Sequence, residues 1–262
     1  MIDTHIHLDQ YRSTELTNLI DDWQRNGIEG VVAVATDLRS SYHILEISER
    51  FPQFVFPCIG WHPEQQLPAE HELLELLHLI NTEKHQIACV GEIGLPYYRL
   101  QEERRLSLTP YLDLFTQFVK VARDNDLPVN LHTVYDHAEL AFNILQQEQV
   151  TKAQFHWLKA KRTIVKKIVD AGYFISLTPE VCYRKRDEIL VEETPLEQLL
   201  LETDGPWPFE GPFKHKQTTP IFLQKSVKKL AELTGETVQQ VKQHVYRNTL
   251  TLYNRIKSVK GG

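Results

Sequence analysis

The stretch Leu196–Trp207, "LEQLLLETDGPW", decides how the chain folds. Its apolar core, Leu199–Leu201, runs straight into acidic residues, and it is the eighth run of its kind. The seven earlier ones are "IDTHIH" (2–7), "GVVAVA" (30–35), "FVFPCIGWHP" (54–63), "IACVGEIGLP" (87–96), "LPVNLHT" (127–133), "AQFHW" (153–157) and "YFISLT" (173–178). Longer stretches of helical period separate them: "STELTNLIDDWQRNG" with Ser13 or Thr14 as its cap, a helix through "SSYHILEISERF", then "EHELLELLHLINTE", "LTPYLDLFTQFVKVARDND", "YDHAELAFNILQQE" and "RTIVKKIVDAG". The connection before the eighth run is less regular. The apolar runs lack strict alternation, as strands buried on both faces do. Eight βα units in about 250 residues predict an α/β fold closed as a (β/α)8 TIM barrel. An open doubly wound sheet is the alternative, but no Gly-rich phosphate loop supports it. The C-terminal segment, about 219–257, reads as two helices packing on the barrel. Residues 1–262 are expected to form a single domain.

Composition narrows the class. Apolar residues make up 42% and charged residues 24% of the 262 residues, enough for a sizeable core. No run approaches the roughly 18 apolar residues of a membrane span, and "MIDTHIHLDQ" lacks the features of a signal peptide. Cys58, Cys89 and Cys182 are odd in number and far apart, so buried thiols in a cytoplasmic protein are the simpler expectation. The net charge of −6 gives no support for nonspecific binding to polyanions. Such a partner would have to meet a local patch. No obligate protein partner is evident.

Barrel enzymes place their chemistry where the strands end, and the polar residues here gather at those positions. The first run carries His5 and His7, which an extended chain points to one side. The third ends in His62, the fourth holds Glu92, the fifth His132, the sixth His156 and the eighth Asp204. Each taken singly has a bland explanation: a His-x-His arises by chance, His156 is a hydrogen-bonded core histidine, and Asp204 caps a helix. Taken together they do not. Buried imidazoles and carboxylates are costly unless paired or bound to metal, and His5, His7, His132, His156, Glu92 and Asp204 are a ligand set for one or two divalent ions.

The motifs "DTHIHLD", "GWHP", "GEIGL", "LHT", "FHW" and "LLLETDGPW", in this order and over nearly the whole chain, resemble the TatD-like metal-dependent hydrolases of the amidohydrolase superfamily. The resemblance implies a barrel with a two-metal centre: His5, His7 and Asp204 on one ion, His132 and His156 on the other, and Glu92 bridging. It implies a role for His62 beside the ions or against substrate. Three motifs depart from the family pattern. Pro96 stands where Asp is usual after "GEIGL", Val134 stands where Arg is expected in "HTVYDHA", and "HWLKA" replaces His-Cys-Phe-Ser-Gly.

Paired cations bring the pKa of a water down from far above neutrality towards about 7. Asp204 is placed to orient that nucleophile and move its proton, with Glu92 the second catalytic carboxylate. Zn, Mn, Mg, Ni and Co all suit the ligands. Lys159, Lys161 and Arg162 after the sixth run, Arg184, Lys185 and Arg186 after the seventh, and Lys214 and Lys216 after the eighth suggest a phosphate-bearing substrate. Of these, Lys159, Arg162 and Arg184, with His62, are the expected substrate contacts. Trp61, Tyr97, Tyr98, Trp157 and Trp207 offer faces for the bases of single-stranded DNA or RNA, or line a small apolar pocket. The leading expectation is a phosphodiesterase of the DNase type acting on DNA or RNA ends. Hydrolysis of a small amide, ester or lactone is the alternative, and a non-catalytic metal-holding scaffold is the reading of a different class.

Overall fold

The computed structural model describes residues 1–256. The expected domain limit at 262 and the expected helix end near 257 lie outside the described residues. Strands β1 (Ile2–Ile6), β2 (Gly30–Val34), β3 (Val55–Ile59), β4 (Cys89–Gly94), β5 (Val129–His132), β6 (Ala153–Phe155), β7 (Phe174–Leu177) and β8 (Leu199–Leu201) pair in chain order. Every pairing is parallel. The two ends of the sheet meet where the site lies. The His7 N–H donates to the Gly205 carbonyl at 2.8 Å, and the Asp204 N–H donates to the His5 carbonyl at 2.9 Å. The fold is the expected α/β barrel.

Ten helices are seen among the described residues: α1 (Leu16–Arg25), α2 (Leu38–Arg50), α3 (Glu70–Glu83), α4 (Tyr98–Glu102), α5 (Thr109–Asp124), α6 (His137–Gln147), α7 (Arg162–Asp170), α8 (Lys185–Glu193), α9 (Leu223–Thr234) and α10 (Val238–Leu252). None is long and apolar enough to cross a membrane. Ser13 and Thr14 do not cap α1. The helix begins behind Glu15 without a side-chain cap, because residues 13–15 form a turn first. Helix α2 starts ahead of the expected segment, on a capping box in which the Asp37 side chain accepts from the Ser40 N–H at 2.7 Å. The irregular stretch before β8 contains α8. Its nine residues carry few apolar side chains, and only Asp187, Leu190 and Val191 are buried. Helices α9 and α10 turn about Gly235, whose φ of +75° suits a residue without Cβ.

The larger core cluster joins the strands to the helices around them through residues such as Trp23, Leu76, Phe115 and Ile168. A smaller one holds Ile2, Val32, Phe56, Cys58, Cys89 and Leu200 together with Leu252, Tyr253 and Ile256 from the end of α10 and beyond. Tyr253 is wholly buried. Its hydroxyl donates to Gln154 Oε1 at 2.5 Å and accepts from Asn130 Nδ2 at 3.1 Å. A polar layer of Thr4, Asn130, Gln154 and Ser176 connects this C-terminal plug to the site above it.

The expectation of three separate thiols fails. Cys58 and Cys89 form a disulfide. They are register partners on β3 and β4, with Cα atoms 4.8 Å apart, inside the range a disulfide spans. Their separation of 31 residues concealed this, because a parallel sheet places residues one βα unit apart side by side. Cys182 is free.

Candidate metal centre

Glu92 leaves β4 at the centre of the strand ends with no exposed surface. Its two oxygens divide the surrounding imidazoles. Oε2 lies 3.2 Å from His5 Nε2 and 3.4 Å from His7 Nε2. Oε1 lies 2.8 Å from His132 Nδ1, 3.4 Å from His62 Nε2 and 3.8 Å from His156 Nε2. Asp204 joins the first group, with Oδ1 3.3 Å from His7 Nε2 and 3.5 Å from His5 Nε2. The structure thus brings together His5, His7, His62, Glu92, His132, His156 and Asp204.

Local features make this convergence possible. A Cβ on Gly94 would stand 1.9 Å from the His132 carbonyl oxygen, so only glycine lets β4 approach β5 there. Asp204 and Trp157 both adopt positive φ, +48° and +39°. A non-glycine residue in this region costs roughly 1–2 kcal/mol. Backbone hydrogen bonds hold both in place: Asp204 N–H to the His5 carbonyl, and Trp157 N–H to Glu202 Oε1 at 2.9 Å.

Hydrogen bonds behind the imidazoles fix which nitrogen faces the site. Asn130 Nδ2 donates to the Thr4 carbonyl, which leaves Oδ1 to accept from His5 Nδ1 at 2.9 Å. In the neutral ring the lone pair of His5 Nε2 therefore points inward. Glu202, wholly buried, accepts from His156 Nδ1, the Trp157 N–H and Gln154 Nε2, each at 2.9 Å. His156 Nε2 is likewise turned inward. His62 is oriented the other way. Its Nδ1 accepts the Glu64 N–H at 3.2 Å, so in the neutral ring Nε2 carries the proton and donates towards Glu92. That makes His62 a partner of Glu92 rather than of a cation.

The charges call for positive counterparts. Burial opposes protonation of His5, but the charges of Glu92, Glu202 and Asp204 overrule it and raise the ring to about 10. Burial also opposes ionisation of Glu92, yet His62, His5 and His132 hold its carboxyl well below the usual range. Asp204 is held low against burial by His7, His156 and His5. Burial pushes Glu202 up to about 8. His5 Nε2, Glu92 Oε2 and His132 Nε2 are buried without hydrogen-bond partners, although such atoms are ordinarily satisfied. Ligand atoms lie within 4.8 Å of one another in His5, His7 and Glu92, in His5, His156 and Glu202, and in His62, Glu92 and His132, where His62 serves Glu92 and Glu202 serves His156. Donor set and orphaned atoms fit divalent cations.

Above this floor opens a cavity of about 1030 Å³. A family model for TatD related DNase matches residues 2–254. The chain belongs to the TatD family. It is 33% identical to a protein of Haemophilus influenzae named "uncharacterized metal-dependent hydrolase", over 97% of this chain and 99% of that one. It is 28% identical to human "deoxyribonuclease TATDN3", covering 98% and 96%. The crystal structure of YJJV, a TatD homolog from Escherichia coli K12, superposes with a TM-score of 0.87 at 22% identity, over 97% of this chain and 98% of that one. The family makes this chain a metal-dependent hydrolase.

The rest of this TatD-family site differs from the sequence-based expectation in its charges. Lys159 lines the cavity; Arg162 and Arg184 do not. Arg162 opens α7, pointing to Glu193 on α8. Arg184 and Arg186 both pair with Glu180, and Arg186 also with Asp187. Lys161 pairs with Asp136, Lys185 with Glu188, and Lys214 with Glu210. Lys216 donates to the Pro212 carbonyl. Apart from Lys159 and Lys216, these basic residues are neutralised by acids distant in sequence or on the neighbouring turn, so among the described residues no basic ring surrounds the mouth. Trp61 is a buried packing residue with its indole N–H on the Gln66 carbonyl. Tyr97 packs on Tyr98, Tyr135 and His137. Tyr98, Trp157 and Trp207 line the cavity.

Three residues that organise the site went unrecognised in the sequence. Glu202 lies two positions before Asp204, and that spacing was available as a clue. Asn130 lies two before His132 in the same way. Glu64 accepts the N–H groups of Tyr97, Tyr98 and Arg99 at 2.7, 3.0 and 2.7 Å and so fastens the cavity wall after β4. Nothing in its local sequence announced this.

Proposed function

We propose that this chain is a metal-dependent phosphodiesterase acting on the ends of single-stranded DNA or RNA. His5, His7 and Asp204 would hold one divalent cation, His132 and His156 a second, and Glu92 would lie between them. The observation that carries this reading is the division of Glu92's two oxygens between two groups of buried and half-buried imidazoles. Zn, Mn, Mg, Ni and Co all suit such ligands. When bound, paired cations make water nucleophilic near neutral pH and polarise a phosphoryl oxygen.

The chain's own residues supply the rest. Asn130 and Glu202 hold His5 and His156 with their Nε2 lone pairs inward, which removes the cost of choosing a tautomer on binding. His62 donates to Glu92 and keeps its carboxylate ionised. Asp204, ionised in spite of burial, accepts the proton of the attacking water and passes it to the leaving oxygen. The cavity has room for a nucleotide, and Lys159 stands on its wall as a phosphate contact. The deoxyribonuclease name of the human relative supports the substrate class. No feature of the cavity favours a small amide, ester or lactone instead.

The test is incubation of metal-reloaded protein with end-labelled single strands. Stepwise loss of terminal nucleotides is expected, with kcat of Asp204→Asn lower by about 10²–10⁴ and its melting temperature kept. Absence of cleavage with all five metals would refute the reading.

A further inference from the structure

Two departures from the family's sequence pattern, at Val134 and in "HWLKA", meet in space. Val134 is a buried residue of the cavity wall, and the next residue's N–H, that of Tyr135, donates to the Lys159 carbonyl. The fifth connection, uncharged at 134, thus holds in place the sixth, which brings a cation to the cavity. Among the described residues the cavity is lined by two cations, Arg99 and Lys159. Arg99 is paired with Glu103 at 3.0 Å. Lys159 forms no ion pair with a described carboxylate. Its ammonium stands 4.3 Å over the Trp157 ring and donates to the Tyr98 hydroxyl at 3.2 Å. One of three donors is used by that bond.

The platform under this ammonium is rigid. Trp157 is held by its backbone N–H on Glu202 and by its indole N–H on Glu180 at 3.2 Å. Glu180 is itself fixed by Arg186 at 2.5 Å and Arg184 at 3.3 Å. Trp207 meets Trp157 edge-on, with ring centroids 5.9 Å apart, yet remains 56% exposed on the cavity wall. An indole left this open, edge-on to the ring that carries the half-buried ammonium, offers a face to a base. Burial also lowers the Lys159 pKa, as expected of an ammonium removed from water without an anion beside it.

We infer that Lys159 and Tyr98 form a subsite for one phosphate group and that Trp207 stacks the base attached to it, so that the cavity selects a nucleotide of an unpaired strand. This rests on the phosphodiesterase reading but is measured without turnover. The metal-reloaded holoenzyme is titrated with thymidine 5′-monophosphate and with thymidine, following tryptophan fluorescence. Lys159→Gln should weaken the monophosphate by about tenfold to a hundredfold and leave thymidine unchanged. Lys159→Arg should keep the preference for the monophosphate, and Lys166→Gln, on the outer face of α7, should bind both as wild type does. Trp207→Ala should weaken both ligands, by about fivefold to a hundredfold. Equal affinity of wild type and Lys159→Gln for the monophosphate would overturn the phosphate subsite, as would equal losses of the two ligands. An unaffected Trp207→Ala would overturn the stacking face. Failure to cleave any strand would count against the phosphodiesterase reading alone, because the preference for the monophosphate is read independently.

Discussion

Exchanging Glu202 for Gln tests whether the hydrogen bonds behind the imidazoles create the metal centre. At pH 9, above the raised pKa of Glu202, its carboxylate accepts from His156 and Trp157 on Oε1 and from Gln154 on Oε2. A glutamine has one acceptor oxygen, so one side must face donor against donor. If its oxygen stays with His156 and Trp157, its amide N–H₂ meets Gln154 Nε2. Gln154 cannot turn over, because its oxygen accepts from Tyr253 and its nitrogen is bound to Thr4 and Ser176. If the amide flips, the Trp157 N–H loses its partner and His156 must move its proton to Nε2, the nitrogen that faces Glu92. The first outcome leaves buried donors unpaired, at about 1–3 kcal/mol, or roughly 2–12 °C in Tm for a chain of this length. The second weakens the cation on the His132–His156 side by about 10–100-fold, equivalent to about 1.4–2.7 kcal/mol. Melting of the metal-free protein together with competition against a chromophoric chelator reads both. Wild-type Tm combined with wild-type affinity for both ions would refute the reasoning.

Tyr253→Phe removes a hydroxyl that serves Asn130 and Gln154 in the barrel's interior. With two buried amides each losing a partner, Tm should fall by roughly 5–15 °C; a change under about 2 °C would show the plug to be dispensable. Burial pushes the Cys182 thiol up to about 11, so at pH 8 about one molecule in a thousand carries the thiolate. Alkylation of the native protein by iodoacetamide at pH 8 should be far slower than that of the unfolded chain and should rise roughly tenfold per pH unit up to pH 10. Rapid labelling at pH 7 would contradict this.

Those features that depend on local pattern were legible in the sequence. Eight apolar runs correspond to eight strands, and because side chains at the strand ends must face one mouth, His5, His7, His62, Glu92, His132, His156 and Asp204 are legible from the runs alone. What the sequence concealed depends on partners that only the closed barrel supplies. Arg162 reads as a free cation until α8 brings Glu193 to it across 31 residues. Cys58 and Cys89 read as separate thiols until their strands lie in register. Glu202 reads as one more acid beside Asp204 until β6 and the two residues after it deliver three N–H donors to it. Helix α8 was missed because its charged residues leave only a narrow buried face. Its stability comes from packing on α9 and α7 rather than from its own pattern.

On the proposed reading, Glu92 stands between two groups of imidazoles because two cations bind there. Metal content measured by plasma mass spectrometry on protein stripped and reloaded with manganese addresses it most directly. Close to two ions per chain are expected, falling to about one in His5→Ala and in His132→Ala. A wild-type chain that takes up no ion would contradict the account.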